Sequence, residues 1–423
     1  MKKIYSHKIF LLSLLLYFTT AYSEIYKSVD EDGNIIFTDK KPLTYSEEIE
    51  LEEDQTIESN KSLNPSEINH NQEKNENPGL DIDISLLNHY KKMRPSLNKD
   101  DWHIHDPSRV IMTSSGQLIS VTGKAQEDGY NCGLETWYRA SPKDNWKPHE
   151  CLFVDKPDWI SKFVPTNDGA FWAPEFIDNE RILYSVASNF DDGGPSCTAL
   201  AIAKKEQGKI IWEDSGMPLT CTTGKPTKTK NGEIEVEAID PAYIFSPSGK
   251  AYLITGGGLI HGTEVNPENF QPLSGNWFSI DDPNWKTLAR GPITDEDEEG
   301  IGDGHEWVEA PYVYYREGFY YLFVNWGACC RGAESDYNIR VGRSKKPLGP
   351  FLDKKGINMA DGGGSLVLES EGTKRGPGHA GIWTNKEEQN ILGFHYYDAK
   401  RDGISLYDER KIVWKNNWPI ITN

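Results

Sequence analysis

Residues 309–332 read EAPYVYYREGFYYLFVNWGACCRG and hold two short apolar-aromatic runs, Tyr312–Tyr315 and Gly318–Val324. The same texture extends over residues 100–421, in which runs such as Arg181–Ala187 alternate with clusters of Gly, Pro, Asn and Asp. No long amphipathic helical pattern interrupts these runs. Many short strands at regular spacing are typical of a β-sandwich, a barrel or a propeller. Because about 320 residues is large for one sandwich, the pattern predicts an all-β fold and favours a propeller with long blades.

The charge of the chain limits the partners that it can bind. Its 423 residues include 45 Lys and Arg against 65 Asp and Glu, a net charge of −20. Nucleic acid binding needs a basic surface that neutralises phosphates, so this balance argues against it, and an anionic membrane surface is disfavoured as well. The 13 Trp, 20 Tyr and 15 Phe are more aromatic residues than a disordered protein contains. The composition therefore indicates an aromatic-rich globular core joined to a separate polar stretch.

Residues 1–23 have the pattern of a secretory signal peptide. Three lysines within the first eight residues form a positive n-region, and Ile9–Phe18 is a short apolar run. A membrane anchor is the alternative, but this run is shorter than the ~20 residues that span a bilayer, and no second run of that length follows. No Cys stands directly after this apolar run, which argues against a lipoprotein. We therefore expect cleavage after Ser23 and a secreted or periplasmic protein without a membrane span.

Two zones separate the signal from the globular region. Residues 24–42 contain two β-rich runs around Asp32-Gly33-Asn34, which predicts a small β-hairpin segment. This segment resembles a small N-terminal domain of unknown function in proteobacterial envelope proteins. Residues 43–99 begin with an acidic stretch, since residues 43–83 hold twelve Asp and Glu against two Lys and one aromatic residue. Such a stretch buries too little apolar surface to fold, so it predicts a disordered linker, with an acidic docking tail as the alternative.

The six cysteines, at positions 132, 151, 197, 221, 329 and 330, suit disulfide bonds in an exported protein. Sequence alone leaves their connectivity open. Local pairing of Cys132 with Cys151 and of Cys197 with Cys221 would leave the adjacent pair at 329–330, either as a strained vicinal bridge or as free thiols. No C-x-x-C pair occurs, which argues against a zinc ribbon.

Three acidic residues stand in proline-containing motifs at the start of a β-run: Asp106 in His-Asp-Pro, Asp240 in Ile-Asp-Pro and Glu309 in Glu-Ala-Pro. Each therefore lies where a loop enters a strand. In a propeller, such loops from several blades converge at one end of the central channel, so the three carboxylates would meet and shift one another's pKa. Paired carboxylates are the groups that hydrolyse glycosidic bonds. Each motif taken alone is more typical of a side chain that caps a turn.

A longer series of motifs runs through residues 100–421. The motifs are His-Asp-Pro-Ser at 105–108, Trp-Ala-Pro-Glu at 172–175, Glu-Ala-Ile-Asp-Pro-Ala at 237–242, the block at 309–351, Gly-Pro-Gly-His at 376–379 and the ending VWKNNWPI. On these motifs the region resembles glycoside hydrolase family 43, and most closely the endo-1,5-α-L-arabinanases. The collinear resemblance covers about three-quarters of the chain. Its Cys-Cys-Arg-Gly block and its Gly-Pro-Gly-His motif are typical of the arabinanase branch.

The resemblance implies a five-bladed β-propeller and a role for each carboxylate. Asp106 is expected to be the general base that activates water, and Glu309 the general acid that protonates the departing sugar oxygen. Asp240 is expected to raise the pKa of that acid and to hold it in position. The family inverts anomeric configuration, so a water molecule must fit between base and sugar, and the carboxyl groups of Asp106 and Glu309 should lie roughly 6.5–9.5 Å apart.

Other site residues follow from the same resemblance. His379 is expected to help hold one calcium ion in the central channel through mostly water ligands, because a single imidazole binds calcium weakly. That ion would support the carboxylates electrostatically. Trp172 is expected to line the substrate groove, where an aromatic face packs on the C–H face of a sugar, and Trp102 is a second candidate. Outside the family motifs, a lone His or Trp is as typical of a structural role. Arg331 and Asn338 are expected to pin the loop at 329–330, with binding of substrate hydroxyls as the alternative.

The expected function is an exported, inverting glycosidase that cleaves α-1,5-arabinofuranosidic bonds in plant cell-wall arabinan or its oligosaccharides, without an organic cofactor. An exo-acting α-L-arabinofuranosidase or β-xylosidase is an alternative, since it shares the three carboxylates and differs in a groove that is blocked at one end. A catalytically silent carbohydrate-binding propeller is the alternative from another class, and the three carboxylates together with His379 argue against it. One departure from the family pattern is Glu175, where arabinanases commonly have Asp.

Overall fold

The computed structural model describes residues 26–29, 35–38, 103–127, 130–153, 155–188, 194–206, 209–225, 227–229, 232–274, 284–292 and 307–422. The chain divides into two compact units, Met1–Glu73 and Lys74–Asn423. The predicted signal peptide, the predicted linker at residues 43–99 and Trp102 lie outside the described residues. In the described part of the chain, no helix is long and apolar enough to cross a lipid bilayer.

The first unit contributes one antiparallel strand pair. Strands β1 (Tyr26–Val29) and β2 (Ile35–Thr38) pair with Tyr26 opposite Thr38 and Val29 opposite Ile35. Both strands contain β-branched and aromatic residues, which favour a pleated conformation. The predicted turn at Asp32-Gly33-Asn34 lies between them, outside the described residues.

The second unit begins with a nine-stranded antiparallel sheet that consists of two halves. The first half comprises β3 (Ile111–Met112), β4 (Gln117–Glu127), β5 (Tyr130–Arg139) and β6 (Lys147–Cys151). The second comprises β7 (Ala170–Phe176), β8 (Arg181–Ala187), β9 (Ser196–Glu206), β10 (Lys209–Asp214) and the short β11 (Thr220–Cys221). The halves join where β4 pairs with β7, with Gly123 opposite Phe171. Between them, helix α1 (Asp158–Phe163) buries Trp159 and Ile160.

Three further sheets follow in chain order, and each contains four strands in an antiparallel meander. The first contains β14 (Ala242–Phe245), β15 (Ala251–Thr255), β16 (Leu259–Val265) and β17 (Lys286–Arg290). The second contains β18 (Val308–Arg316), β19 (Phe319–Trp326), β20 (Asn338–Ser344) and β21 (Ser365–Leu368). The third contains β22 (Lys374–Thr384), β23 (Asn390–Asp398), β24 (Ile404–Lys415) and β25 (Trp418–Thr422). Smaller elements are the pair β12 (Thr227–Thr229) and β13 (Gly232–Ile234), and 3₁₀ turns at Gly332–Glu334 and Met359–Asp361.

The core lies between the faces of successive sheets. Leu183 of the second half-sheet packs with Leu253 of the next sheet, and the cluster that contains Leu322 continues the contact to the sheet of β18. The packing also returns from the last sheet to the first, because Trp383 on β22 belongs to the same buried cluster as Ile119 and Trp137. The second unit is therefore all-β, and apolar side chains join its consecutive sheets, since each sheet face must be covered.

Three disulfide bonds pair the six cysteines. They join Cys132 to Cys151, Cys197 to Cys221 and Cys329 to Cys330. The first two cross-link neighbouring strands, β5 with β6 and β9 with β11. The third is a vicinal bridge between adjacent residues. The sequence alone did not distinguish this bridge from two free thiols.

Candidate active site

The three predicted carboxylates meet in one cavity. Asp106 lies in the loop before β3, Asp240 lies two residues before β14, and Glu309 is the second residue of β18. All three line a cavity of about 820 Å³. They therefore reach the same space from the entry points of three different sheets, as their positions before β-runs predict.

A shared backbone feature directs these side chains. The residue before the proline has positive φ in all three motifs: 47° at Asp106, 52° at Asp240 and 51° at Ala310. Few residues other than Gly adopt this region, and such positions concentrate at functional sites. His379 has the same property, with φ of 57°. The pairing of β18 with β19 also shifts register between Glu309 and Tyr312, which breaks the regular alternation of side chains at the acidic residue.

Asp106 is surrounded by one hydroxyl group and three imidazole rings. Its Oδ2 accepts a hydrogen bond of 2.8 Å from the hydroxyl of Thr122 and lies 2.8 Å from Nδ1 of His105. Its Oδ1 lies 3.5 Å from Nδ1 of His379 and 3.6 Å from Nδ1 of His395. Burial alone would raise the pKa of Asp106, but the adjacent His105, with support from His379 and His395, holds that pKa well below its usual range. Asp106 is therefore ionised near neutral pH.

Glu309 and Asp240 have the opposite electrostatic character. Burial raises the pKa of Glu309, and hydrogen bonds from the hydroxyl of Tyr337 and the indole N–H of Trp307 oppose that rise only in part. Burial also raises the pKa of Asp240 well above its ordinary value, and the nearby charges of Glu309 and Asp106 raise it further. Asp240 Oδ2 accepts a 3.0 Å hydrogen bond from the backbone N–H of Ala310, directly after Glu309. Asp240 is thus tied to the segment that carries Glu309.

This arrangement separates two carboxyl groups by their environments. One group, Asp106, is held in the charged form that can accept a proton, while burial shifts Glu309 toward the protonated form that can donate one. Carboxyl groups whose pKa values are pushed apart in this way are suited to paired general base and general acid roles.

A model of the glycosyl hydrolases family 43 matches residues 127–419 of this chain. The chain belongs to glycosyl hydrolases family 43. This glycosidase is 28% identical to the extracellular exo-α-(1→5)-L-arabinofuranosidase of Cellvibrio japonicus over 329 residues, which cover 75% of the chain and 85% of the relative. It is 29% identical to the extracellular endo-α-(1→5)-L-arabinanase 1 of Bacillus subtilis over 321 residues, which cover 75% of the chain and 87% of the relative.

The fold of the glycosidase agrees with this assignment. The structure of the Cellvibrio cellulosa α-L-arabinanase complexed with arabinohexaose superposes with a TM-score of 0.62 at 25% sequence identity, over 76% of this chain and 96% of that one. A second family model, a domain of unknown function (DUF4124), matches residues 12–65. That match confirms the resemblance of the N-terminal segment to a small domain without known chemistry. The family 43 match includes Asp240 and Glu309 and begins after Asp106.

The other predicted site residues differ in their placement. Trp172 is half-buried and lines the cavity, and His379 is buried beside Asp106 with its backbone N–H donating to Asn325 Oδ1 at 3.0 Å. Arg331 also lines the cavity. Asn338 instead donates from its amide to the backbone carbonyls at 326 and 336, which is the structural role expected for it.

Glu175 lies outside the catalytic group. Its Oε2 accepts a 2.9 Å hydrogen bond from the backbone N–H of Arg109, and its Oε1 lies 3.4 Å from Nε of the same residue. Burial raises the pKa of Glu175 to about 7, against the opposing effect of Arg109. This departure from the family pattern therefore holds the loop that follows Asp106 against β7.

Several residues of the site were not predicted as site residues from the sequence. Trp307 and Tyr337 hold Glu309, while Thr122 and His395 contact Asp106. Glu237 lines the cavity, and burial together with Glu309 and Glu235 raises its pKa to about 8. Trp307 and Glu237 stand within three residues of a predicted carboxylate, so proximity in sequence could have suggested them. Thr122 and His395 lie on the distant strands β4 and β23, and Tyr337 directly precedes β20, so only the tertiary structure brings these three to the site.

The donor atoms near His379 restrict what cation could bind. The ligand atoms of His105, Asp106 and His395 lie within 4.8 Å of one another, and Nδ1 of His379 lies 3.5 Å from Asp106 Oδ1. This set contains three imidazoles and one carboxylate, whereas calcium prefers six to eight oxygen ligands. The residues fit calcium only if water supplies most of its ligands, as expected for His379.

Proposed function

We propose that this family 43 glycosidase is an exported enzyme that hydrolyses α-1,5-arabinofuranosidic bonds in arabinan with inversion of configuration. What carries the proposal is the cavity in which an ionised Asp106 shares space with the raised-pKa groups Glu309 and Asp240. The names of the two relatives, an exo-arabinofuranosidase and an endo-arabinanase that both act on α-(1→5) bonds, support the substrate.

The proposed reaction is a single displacement. Asp106 takes a proton from a water molecule, whose oxygen forms the new bond to the anomeric carbon. The bond between that carbon and the glycosidic oxygen breaks, and Glu309 gives its proton to the departing oxygen. Asp240 positions Glu309 through the amide of Ala310. Because the charge of Glu309 raises the pKa of Asp240, each of the two groups disfavours ionisation of the other, and this favours a protonated Glu309. One water is consumed, and the proton that Glu309 loses balances the one that Asp106 gains.

Inversion requires space for water between Asp106 and the sugar. A crystal structure with bound arabino-oligosaccharide should place the carboxyl groups of Asp106 and Glu309 roughly 6.5–9.5 Å apart, whereas a separation of about 5 Å would indicate a retaining mechanism. Proton NMR during hydrolysis gives the same answer in solution, because an inverting enzyme first releases the product anomer opposite to that of the substrate.

We further propose that the second unit is a five-bladed β-propeller. The two halves of the nine-stranded sheet and the three four-stranded sheets make five antiparallel units among the described residues. The apolar clusters that join these units in chain order and return from the last to the first support closure into a ring. A ring leaves only short, protected sheet edges.

Product analysis tests the substrate and the mode of cleavage. The full chain is incubated with linear 1,5-α-arabinan, xylan and aryl α-L-arabinofuranoside or β-xyloside, and product lengths are followed with time. Early release of mixed oligosaccharides from arabinan supports internal cleavage. Release of a single short product supports the exo-acting alternative. The name of the Cellvibrio relative describes such an exo-acting enzyme. Hydrolysis of xylan or xyloside alone would contradict the arabinan assignment.

Asp106→Asn connects the activity to the proposed base. We expect it to lower kcat on arabinan by roughly 10²–10⁴-fold, because the amide cannot accept the proton of water. Asp168→Asn is a matched control, since Asp168 lines the same cavity but is not placed in the reaction. Wild-type kcat in Asp106→Asn would refute the base assignment.

We also propose that one calcium ion binds near His379, with water as most of its ligands. When bound, the ion adds positive potential beside the carboxylates. Titration calorimetry of chelator-treated protein with calcium chloride should detect weak binding that His379→Ala abolishes. If calcium binds the variant as well as the wild type, His379 is not the site.

Export is proposed from the predicted signal at residues 1–23, and the relatives that are named extracellular support it. Expression of the full chain followed by N-terminal sequencing of the extracellular or periplasmic fraction should return Glu24 as the first residue. Retention of Met1 on cytoplasmic protein would contradict it.

A further inference from the structure

A series of contacts connects Asp106 to the cavity wall. His105 has Nδ1 2.8 Å from Asp106 Oδ2, and its other ring nitrogen, Nε2, lies 2.7 Å from the hydroxyl of Tyr397 on β23. The same hydroxyl accepts a 2.8 Å hydrogen bond from the backbone N–H of Cys330. Both ring nitrogens of His105 therefore have a partner. The series of contacts joins three separate segments of the chain, which contain His105, Cys330 and Tyr397.

The plane of the His105 ring is held by stacking. The rings of His105 and His395 have centroids 4.2 Å apart and are inclined by only 21°. His395 is fully buried, and its Nδ1 accepts a 3.1 Å hydrogen bond from the backbone N–H of Asp106. Stacking restricts tilting of the His105 ring but allows rotation within its plane, and the contact with Tyr397 at Nε2 opposes that rotation.

The Cys330 amide is itself held in place. The disulfide between Cys329 and Cys330 closes a small covalent ring that includes the peptide bond between them. Cys330 has φ of 67°, in the left-handed region, and the next backbone N–H, that of Arg331, donates to Ser335 Oγ at 3.0 Å. The covalent ring and these bonds restrict the direction of the N–H that reaches Tyr397.

We propose that Tyr397 is a positioning residue for hydrolysis, which holds His105 so that its Nδ1 stays on Asp106, and that the vicinal disulfide fixes the amide that holds Tyr397. This inference rests on the proposed role of Asp106 as general base. With Oδ2 occupied by His105 and Thr122, Oδ1 is the oxygen that remains for the attacking water. Tyr397 is only 4% exposed, so it acts through His105 rather than on the sugar.

Tyr397→Phe removes the hydroxyl and keeps the ring. We expect kcat on linear arabinan to fall about tenfold while KM stays within about twofold, because activation of water is impaired and sugar binding is not. Tyr396→Phe is the matched control, since Tyr396 is the preceding residue of β23 and packs against the apolar cluster between the last two sheets. A fall in kcat of less than about fivefold in Tyr397→Phe, or an equal fall in Tyr396→Phe, overturns the proposal.

The role of the disulfide is tested by combining its removal with Tyr397→Phe. The double variant Cys329→Ser, Cys330→Ser should lower kcat, and adding Tyr397→Phe to it should lower kcat by no more than about a further twofold, because both changes remove the same hold on His105. Multiplication of the two separate effects would show that the disulfide acts by another route and would overturn that half of the proposal.

A measurement without substrate separates this inference from the proposed function. Nitrogen-15 spectra of the histidine rings in the full chain should show the His105 signals changed by Tyr397→Phe and unchanged by Tyr396→Phe. That result supports the contact even if arabinan is not the substrate. Unchanged His105 signals in Tyr397→Phe would overturn the proposal even if arabinan is hydrolysed.

Discussion

Glu309 is held by two hydrogen bonds that favour its ionised form, although its proposed role needs the protonated form. The hydroxyl of Tyr337 donates to Oε1, and the indole of Trp307 donates to Oε2 at 2.7 Å. Burial outweighs both, so the pKa of Glu309 is still raised. The two donors therefore orient the carboxyl group and limit the rise of its pKa, as expected of a group that must give up its proton in each turnover.

Glu309→Gln tests the acid role directly. The amide keeps the shape of the side chain but has no acidic proton, so kcat on arabinan should fall by roughly 10²–10⁴-fold. An aryl arabinofuranoside with a good leaving group needs less protonation, so its hydrolysis should fall much less. Glu387→Gln, on an exposed turn, is the control. Equal losses on the two substrates would contradict the acid assignment.

The pH profile should respond to Tyr337. Activity requires protonated Glu309, so it should decline as pH rises through the raised pKa of that group. The Tyr337 hydrogen bond lowers this pKa, and Tyr337→Phe should therefore raise it and move the alkaline limb of kcat/KM toward higher pH. The ionised state of Asp106 persists to low pH, so the acid limb should not move with this substitution. A shift of the alkaline limb to lower pH would contradict this role of Tyr337.

At the scale of elements, the site depends on where strands begin. The loops that enter β3 and β14 and the first residues of β18 each carry a residue with positive φ before a proline, and each delivers one carboxylate. Motif order along the chain could identify these residues, because the proline and the β-run that follows are visible in sequence. The partners Thr122, Tyr337 and His395 could not be identified in this way, since each lies within a regular strand or loop without a distinguishing pattern.

The disulfide that joins β9 to β11 should contribute to stability and not to chemistry. Cys197 and Cys221 enclose a loop with a sequence separation of 24, and loss of such a cross-link costs about 3–4 kcal/mol on chain entropy grounds. Cys197→Ser with Cys221→Ser should lower the free energy of unfolding by about that amount in urea denaturation, while KM on arabinan stays unchanged. Unchanged stability would contradict a stabilising role for this disulfide.

At the scale of the whole molecule, side chains connect the first sheet of the second unit to the last. Arg139 on β5 is buried, and its Nη2 donates to Glu409 Oε1 on β24 at 2.6 Å. The backbone N–H of Ile104 also donates to the carbonyl of Ser405 at 3.1 Å. These contacts link residues that are 270 and 301 positions apart in the chain.

Glu409→Gln should weaken this closure. The amide removes the charge opposite a buried guanidinium, which costs about 1–3 kcal/mol. Glu317→Gln is the control, because Glu317 pairs with Arg316 at a largely exposed position where such pairs contribute at most about 1 kcal/mol. Scanning calorimetry should show a clearly lower Tm for Glu409→Gln than for Glu317→Gln, and equal values would contradict a closing role for Glu409.

Two buried histidines should make the fold sensitive to acid. Burial lowers the pKa of His149 and His261 from 6.5 to about 4. The unfolded chain binds protons at these residues at higher pH than the folded chain, so stability should be full above about pH 6.5 and should fall as pH decreases toward 4. Tm measured between pH 7 and pH 4.5 should decline, and His261→Gln should reduce that decline. An identical pH slope in this variant would exclude His261 as a contributor.

The sequence by itself determined the all-β character, the family and the three acidic motifs, and it left the pairing of the six cysteines open. These features depend on composition, on short-range pattern and on motifs whose meaning is local. Only the tertiary structure decided that Cys329 and Cys330 bond, that Glu175 holds Arg109, and that Tyr337, Trp307 and Tyr397 surround the site. Such contacts arise when sheets pack face to face, because side chains distant in sequence then share one desolvated space. The pKa values of Asp106 and Glu309 are set in that space by burial and by neighbours of which His105 and His379 stand in sequence motifs, whereas Tyr337, Trp307 and His395 do not.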